Sequence, residues 1–210
     1  MDDDGQVMTL EISVRPSSDV SDPRSVDDLR HKRDVGRFAQ WSVSSAKPGY
    51  GVQQLLDPSV ETLWQSEGPQ PHLINIQFRR RMPITQVSLF VDVNTDDSYT
   101  PHRIAIRAGS FSGDLQEIKV VELERPRGWS HLIMGEEDDE EDQDSADADP
   151  ERGVIRAHYI QLAILANHLN GKDTHVRHIK IFAPRGPDCL EEDDLAPFTS
   201  AIFKQHEHIR

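Results

Sequence analysis

At 210 residues the chain has the length of one ordinary domain with some to spare, and its 36% hydrophobic content is low for a chain folded throughout. The formal charge of −14 is unevenly spread: 25 of the 37 acids lie in 1–35, 136–151 and 186–194, whereas 36–135 with 152–185 carry 11 acids against 16 bases. So mild and scattered a basic excess argues against a nucleic-acid partner, the lack of any apolar run near the roughly 18–20 residues of a membrane span argues against a membrane one, and a single cysteine, Cys189, excludes both an internal disulfide and a CxxC metal pair.

Residues 1–35 open on Asp2, Asp3 and Asp4, the reverse of a signal peptide's basic start, and contain few large apolar side chains. They read as a mostly disordered tail, and the chain as one working in a reducing compartment, nucleus and cytoplasm. The domain is expected at 36–184. Val52–Trp64 is the longest candidate helix, and Asp57-Pro58 favours a break within it.

Strand signals then follow in succession. His72–Phe78, Gln86–Val93, His102–Ala108, Leu115–Leu123, Trp129–Met134, Ala157–Ala166 and Val176–Ala183 alternate or run continuously apolar, with Pro, Gly, Asn and Asp between them. Ala157–Ala166 is apolar enough for a helix, but its flanks and its need for a sheet partner favour a strand. Gly135–Pro150 is a low-complexity acidic run, expected as a disordered insertion at about 136–151 and best read as a solvated loop expansion. The segment 185–210 reads as a flexible tail. Many short strands with almost no helix indicate an all-β, antiparallel jelly-roll sandwich.

Three polar clusters sit at strand ends: Trp64–His72, Asn94–Pro101 and Asn167–Arg177. Loops at one end of a sandwich converge and build composite sites on a rigid scaffold. Chemistry is the weaker reading of them. His168, Asp173, His175 and His178 are zinc-type ligands, but alternation along a strand sends His175 and His178 to opposite faces, and no zinc motif is present. Ser66 and Ser98 lack the flanking signature of a nucleophile, and the adjacent Asp96 and Asp97 diverge. Binding asks for less: Asn and Gln amides offer donors and acceptors together, and His and Tyr add an apolar body with a polar tip. No catalytic residue, metal or cofactor is expected. Singly, each group has a structural reading, such as a tight turn at Asn170-Gly171 or core positions for Trp41, Trp64 and Trp129. Together they favour binding of a short extended peptide or a carbohydrate.

The runs that carry a family resemblance are Trp41–Gly51, Glu61–Arg80, Asp97–Pro101, Gln116–Ile118, Gly128-Trp129, Ile160–His168 and Asn170–Arg177. In this order they resemble the DOC-domain family of the anaphase-promoting complex, the ubiquitin ligase of mitosis, over about 36–184. The resemblance implies a galactose-binding-domain-like jelly roll and a non-catalytic role. Such a subunit forms, with a WD40 activator, a co-receptor for the destruction-box degron of substrates and raises the processivity of ubiquitination. Carried onto this chain, the implied degron face is Ser66, Gln70, His72, Ser98, Tyr99, Asn167, His168, Asn170, Gly171, Asp173, Thr174 and His175. The resemblance further implies that the terminal Ile209 and Arg210 dock into a TPR-repeat scaffold subunit, the segment before them serving as a tether.

Departures from the family pattern are Glu67 for a usual Asp, Leu63 for an aromatic, Leu169 for a polar residue, and the acidic run in place of a shorter basic-leaning connector. Two further readings remain. A carbohydrate-binding module needs exposed aromatic platforms, and the loops offer only Tyr99. A DOC domain embedded in a different ubiquitin ligase fits poorly with a short chain ending in Ile-Arg.

Overall fold

A computed structural model describes residues 12–16, 32–134 and 153–185. Its strands are β1 (Ile12–Pro16), β2 (Lys32–Asp34), β3 (Ala39–Val43), β4 (Trp64–Gln65), β5 (His72–Ile84), β6 (Gln86–Asp92), β7 (Pro101–Gly109), β8 (Gln116–Glu122), β9 (Arg127–Met134), β10 (Ile155–Asn167), β11 (His175–Val176) and β12 (His178–Pro184). Two five-stranded antiparallel sheets, ordered β1-β9-β6-β12-β2 and β3-β5-β10-β7-β8, pack as a jelly-roll sandwich, with β4 and β11 forming a two-stranded ladder of their own. All seven strands expected from the sequence are present.

Period-2 alternation builds the core. Ile74, Ile76, Ile104, Ile106, Leu162 and Ile164 from one sheet meet Val87, Leu89, Val91, Leu132, Ile179 and Ile181 from the other in one buried cluster. β10 is a strand lying between β5 and β7, and so central a position explains its near-continuous apolar character. β6 is buried at every position but its last because its second face is covered too: Phe90 packs with Trp129 and Phe182 in a separate cluster.

Two expectations need correction. Residues 1–35 are not a uniformly disordered tail: β1 pairs with β9 from Ile12↔Met134 to Pro16↔Ser130, β2 pairs with β12, and Ile12 and Val35 join the core. Short polar strands of this kind owe their existence to the open edges they complete, which composition cannot register. The candidate helix at 52–64 is a four-residue helix α1 (Val52–Leu55) that ends before Asp57-Pro58, the break the proline favours. A second short helix, α2 (Val93–Asp96), terminates β6, where Asp92 accepts from the Asn94 N–H at 2.9 Å and from the Thr95 hydroxyl at 2.9 Å. No helix among the described residues is long and apolar enough to cross a membrane. The acidic run 136–150 and the Ile209-Arg210 terminus lie outside the described residues.

Candidate functional site

The three polar clusters meet at one end of the sandwich, and the residue that joins them is Thr174, fully buried. Its N–H donates to Ser66 Oγ at 2.8 Å, and its carbonyl accepts from the Ser66 N–H at 3.0 Å. Its hydroxyl lies 3.0 Å from Asn167 Oδ1 and 3.3 Å from the Tyr99 carbonyl, a donation shared between two loops. The β4–β11 ladder extends the first of these links, pairing His175 with Gln65 and Val176 with Trp64. Trp64 is fully buried beneath it and donates from Nε1 to the Ser45 carbonyl at 2.9 Å.

Around this centre the loops are bound to each other from several directions. Gln70 Nε2 donates to the carbonyls of Gly171 at 3.0 Å and Lys172 at 3.3 Å. His72, with no exposed surface, holds the same Lys172 carbonyl at 2.6 Å through Nε2, which therefore carries the proton. Asn167 Nδ2 donates to the Asp173 carbonyl at 2.7 Å and the Gly171 carbonyl at 3.3 Å, holding its own loop closed. The His168 N–H reaches the Thr100 carbonyl at 2.9 Å. Gly171 has an ordinary φ of −59°, so its glycine is demanded by space: a Cβ there would run into the Ser98 carbonyl.

A charged group frames the middle loop. Arg177 grips Asp96 in a two-pronged ion pair, Nε to Oδ2 at 2.9 Å and Nη2 to Oδ1 at 2.8 Å, and its Nη1 donates to the Val60 carbonyl at 2.9 Å. His175 Nδ1 stands 3.1 Å from Asp96 Oδ1, and its ring stacks on Tyr99 at 4.3 Å with 12° between planes. Burial opposes ionisation of Asp96, but hydrogen bonds from His175 and Arg177 and the guanidinium charge outweigh it, and the carboxyl titrates below its ordinary value. Asp97, its neighbour, is exposed at φ +48°.

The twelve residues singled out from sequence thus divide by burial. Ser66, His72, Asn167 and Thr174 are buried and hold the loops together; Gly171 permits the close approach of two of them. Gln70, Tyr99 and Asn170 are exposed, with Ser98, His168, Asp173 and His175 partly so, and these form the outer rim. Leu169, absent from that set, is the most exposed large apolar side chain among the described residues at 75%, and stands at φ +51° beside Asn170 at φ +58°. The sequence signal for it was its departure from the polar residue that the resemblance implies. The pairing of Asp96 with Arg177 carried no sequence signal, because the two lie 81 positions apart.

The zinc-type ligands do not converge. His178 is buried on β12, where Nδ1 stands 3.1 Å from the Leu55 carbonyl and its ring meets Trp129 edge-on. Burial first, then the Lys180 charge, lower its pKa. His168 packs against His102 at 4.8 Å, and burial and that neighbour lower its pKa too. Among the described residues, no three His, Cys, Asp or Glu side chains are grouped so as to hold a metal ion. Ser66, the serine nearest the centre, accepts from backbone and is 1% exposed, a poor posture for a nucleophile.

The profile of the family described as "Anaphase-promoting complex, subunit 10 (APC10)" matches residues 12–208. Anaphase-promoting complex subunit 10 of Homo sapiens is 40% identical over 193 residues, covering 90% of this chain and 95% of the relative. The Drosophila melanogaster protein of the same name is 42% identical, covering 93% of each chain, and the Schizosaccharomyces pombe one 38% identical, covering 84% and 87%. Among solved structures, the family 32 carbohydrate-binding module of Clostridium perfringens NanJ, in complex with galactose, superposes with a TM-score of 0.55 at 10% identity, over 72% of this chain and 98% of that one. The paired modules of ZmpB from the same organism superpose with a TM-score of 0.62 at 9% identity, over 83% and 41%. Likenesses at this identity speak to the galactose-binding-like jelly-roll fold alone.

Proposed function

This chain belongs to the anaphase-promoting complex subunit 10 family, and we propose that it serves that ubiquitin ligase as a non-catalytic subunit for substrate recognition and processivity. In this reading its loop end forms, with a WD40 activator, a co-receptor for destruction-box degrons. The observation that carries the reading is the buried Thr174 junction, which makes three loops one rigid body. A peptide that meets a preformed rim loses less ordering free energy than one that must also order the loops. The rim offers what an extended peptide needs: the side-chain carbonyl of Gln70, whose nitrogen is engaged by the neighbouring loop, the Asn170 amide, a hydroxyl at Ser98, and the Tyr99 ring stacked on His175. Tethering a substrate at a second point slows its dissociation between ubiquitin transfers, which is the physical content of processivity.

Ile209 and Arg210 dock, in the same reading, into a TPR-repeat scaffold subunit, Ile filling an apolar pocket while guanidinium and carboxylate set polarity. The protein then works wherever the assembled ligase does, in nucleus and cytoplasm. Tyr99→Ala with Asn170→Gly, which suits the φ of +58° at position 170, should shorten ubiquitin chains formed per encounter on a destruction-box substrate while leaving the domain folded. Wild-type processivity in a folded double variant rejects the degron face. Deleting Ile209 and Arg210 should separately weaken co-purification with the TPR subunit, and unchanged co-purification rejects the tail assignment alone.

A further inference from the structure

Three consecutive exposed residues, Arg79, Arg80 and Arg81, interrupt β5 between buried Phe78 and buried Met82. A regular strand alternates, so such a run requires a break in the ladder. The break lies opposite β10, where Ala157 pairs with Met82 but Tyr159 pairs with Gln77, leaving Phe78 to Arg81 facing His158 alone.

The bulge opens onto a sheet margin. β3 accompanies β5 only from Ala39↔Phe78 to Val43↔Ile74, and before Ala39 the chain turns through a 3-10 turn at Gly36–Phe38. Among the described residues, no strand flanks Arg79–Ile84 on the β3 side. Between the turn and the bulge lies a groove of about 590 Å³, lined by Phe38, Ala39, Gln40, Phe78, Arg79 and Arg80. The Phe38 ring is half-buried and covered by the Arg37 guanidinium at 4.7 Å from its centroid. Arg81 is held on the β10 side, donating from Nε to the Arg156 carbonyl at 3.0 Å. Arg79 and Arg80 have no carboxylate within ion-pair distance among the described residues.

We propose that this margin is a docking edge for an extended acidic segment of a partner protein. The segment adds to β5 alongside Arg79–Arg81, continuing the line of β3, and its carboxylates pair with Arg79 and Arg80. The two features of the site select that occupant together. An open strand edge recognises extended backbone of any sequence, and a pair of unneutralised arginine forks beside it selects for acids. Arginine on an edge also serves to block edge-to-edge self-association. That role needs charge alone and has no use for a groove with an aromatic wall.

The full-length protein would be titrated into a fluorescently labelled peptide of alternating Glu and Val, read by anisotropy, with an alternating Lys and Val peptide as control. Wild type should bind the Glu peptide and not the Lys peptide, more weakly as salt rises. Arg79→Ser with Arg80→Ser should cost at least about tenfold in affinity, the size of losing one to two charge-assisted bonds. Arg79→Lys with Arg80→Lys should retain part of it, and circular dichroism would establish that both variants are folded. No binding by wild type overturns the proposal, as does self-association of the serine variant without peptide binding by wild type. Equal affinity for a backbone N-methylated Glu peptide overturns strand addition. Binding that emerges only after the acids of 136–149 are changed to Ser and Asn overturns the partner, because the chain's own acidic run is then the occupant.

Discussion

Replacing Arg177 by Met tests the electrostatic frame of the loop end most directly. The substitution keeps an apolar stem of similar length and removes three donated hydrogen bonds, two to Asp96 and one to the Val60 carbonyl. Both partners are withdrawn from water, at 12% and 4% side-chain exposure, so the pair belongs with buried rather than surface ion pairs. Stranding one partner of such a pair costs about 3–5 kcal/mol. The lower end applies, because His175 stays 3.1 Å from the carboxylate as a hydrogen-bond partner. A loss of ~3 kcal/mol is a large share of the roughly 5–15 kcal/mol expected for a domain of this kind. Urea unfolding followed by the fluorescence of Trp41, Trp64 and Trp129 would measure it at pH 7. Adding Asp96→Asn removes the stranded charge and should return part of the loss, a non-additivity of at least about 1 kcal/mol. The single variant's penalty should also shrink toward pH 5, because an Asp96 whose pKa rises above its unfolded value takes up its proton in the folded state first. A single-variant loss below about 1 kcal/mol, or strict additivity in the cycle, would refute the frame.

Gly171→Ala should lower stability by about 1–3 kcal/mol through overpacking against the Ser98 carbonyl, since its φ needs no glycine; an unchanged melting temperature counts against the close approach. Thr174→Val should cost about 1–3 kcal/mol by leaving Asn167 Oδ1 and the Tyr99 carbonyl without their shared donor, read by denaturant unfolding. His178 has a folded pKa below its ordinary 6.5, so the unfolded chain protonates first and stability falls as pH drops through about 6.5 toward the folded value; His178→Asn should flatten that slope in unfolding curves taken from pH 7 to 5.5. Wild-type Asp96, with a lowered pKa, contributes stability above about 3.9 that is lost as pH falls from there, well separated from the histidine window. Leu169→Asn should raise stability by roughly 0.5–1 kcal/mol, because Asn tolerates the left-handed backbone that Leu adopts there at φ +51°; a loss instead would show that Leu169 packs against something.

Much of the fold was legible along the chain. Ile74, Ile76 and Phe78 announce a strand by spacing alone, and Val87, Leu89 and Val91 announce another, because a half-buried strand must alternate. The convergence of three loops was legible too, as a consequence of sandwich architecture. Illegible were β1 and β2, whose residues lack the pattern and become strands only because β9 and β12 present open edges. So was the bulge at Phe78–Arg81, since three arginines in sequence look the same on a loop and on a broken ladder.

Within the candidate site the division is the same. Sequence determined which chemical groups occupy the loop end, because turn-forming and hydrogen-bonding residues concentrate there. Only tertiary structure decided which of them face outward. Thr174, Ser66, Asn167 and His72 carry groups as capable of binding a ligand as that of Asn170, but their capacity is taken by backbone and side chains of their own and neighbouring loops, as is the amide nitrogen of Gln70. A polar side chain has a fixed number of donors and acceptors, and whether another loop has already engaged them is a property of the fold, not of the residue.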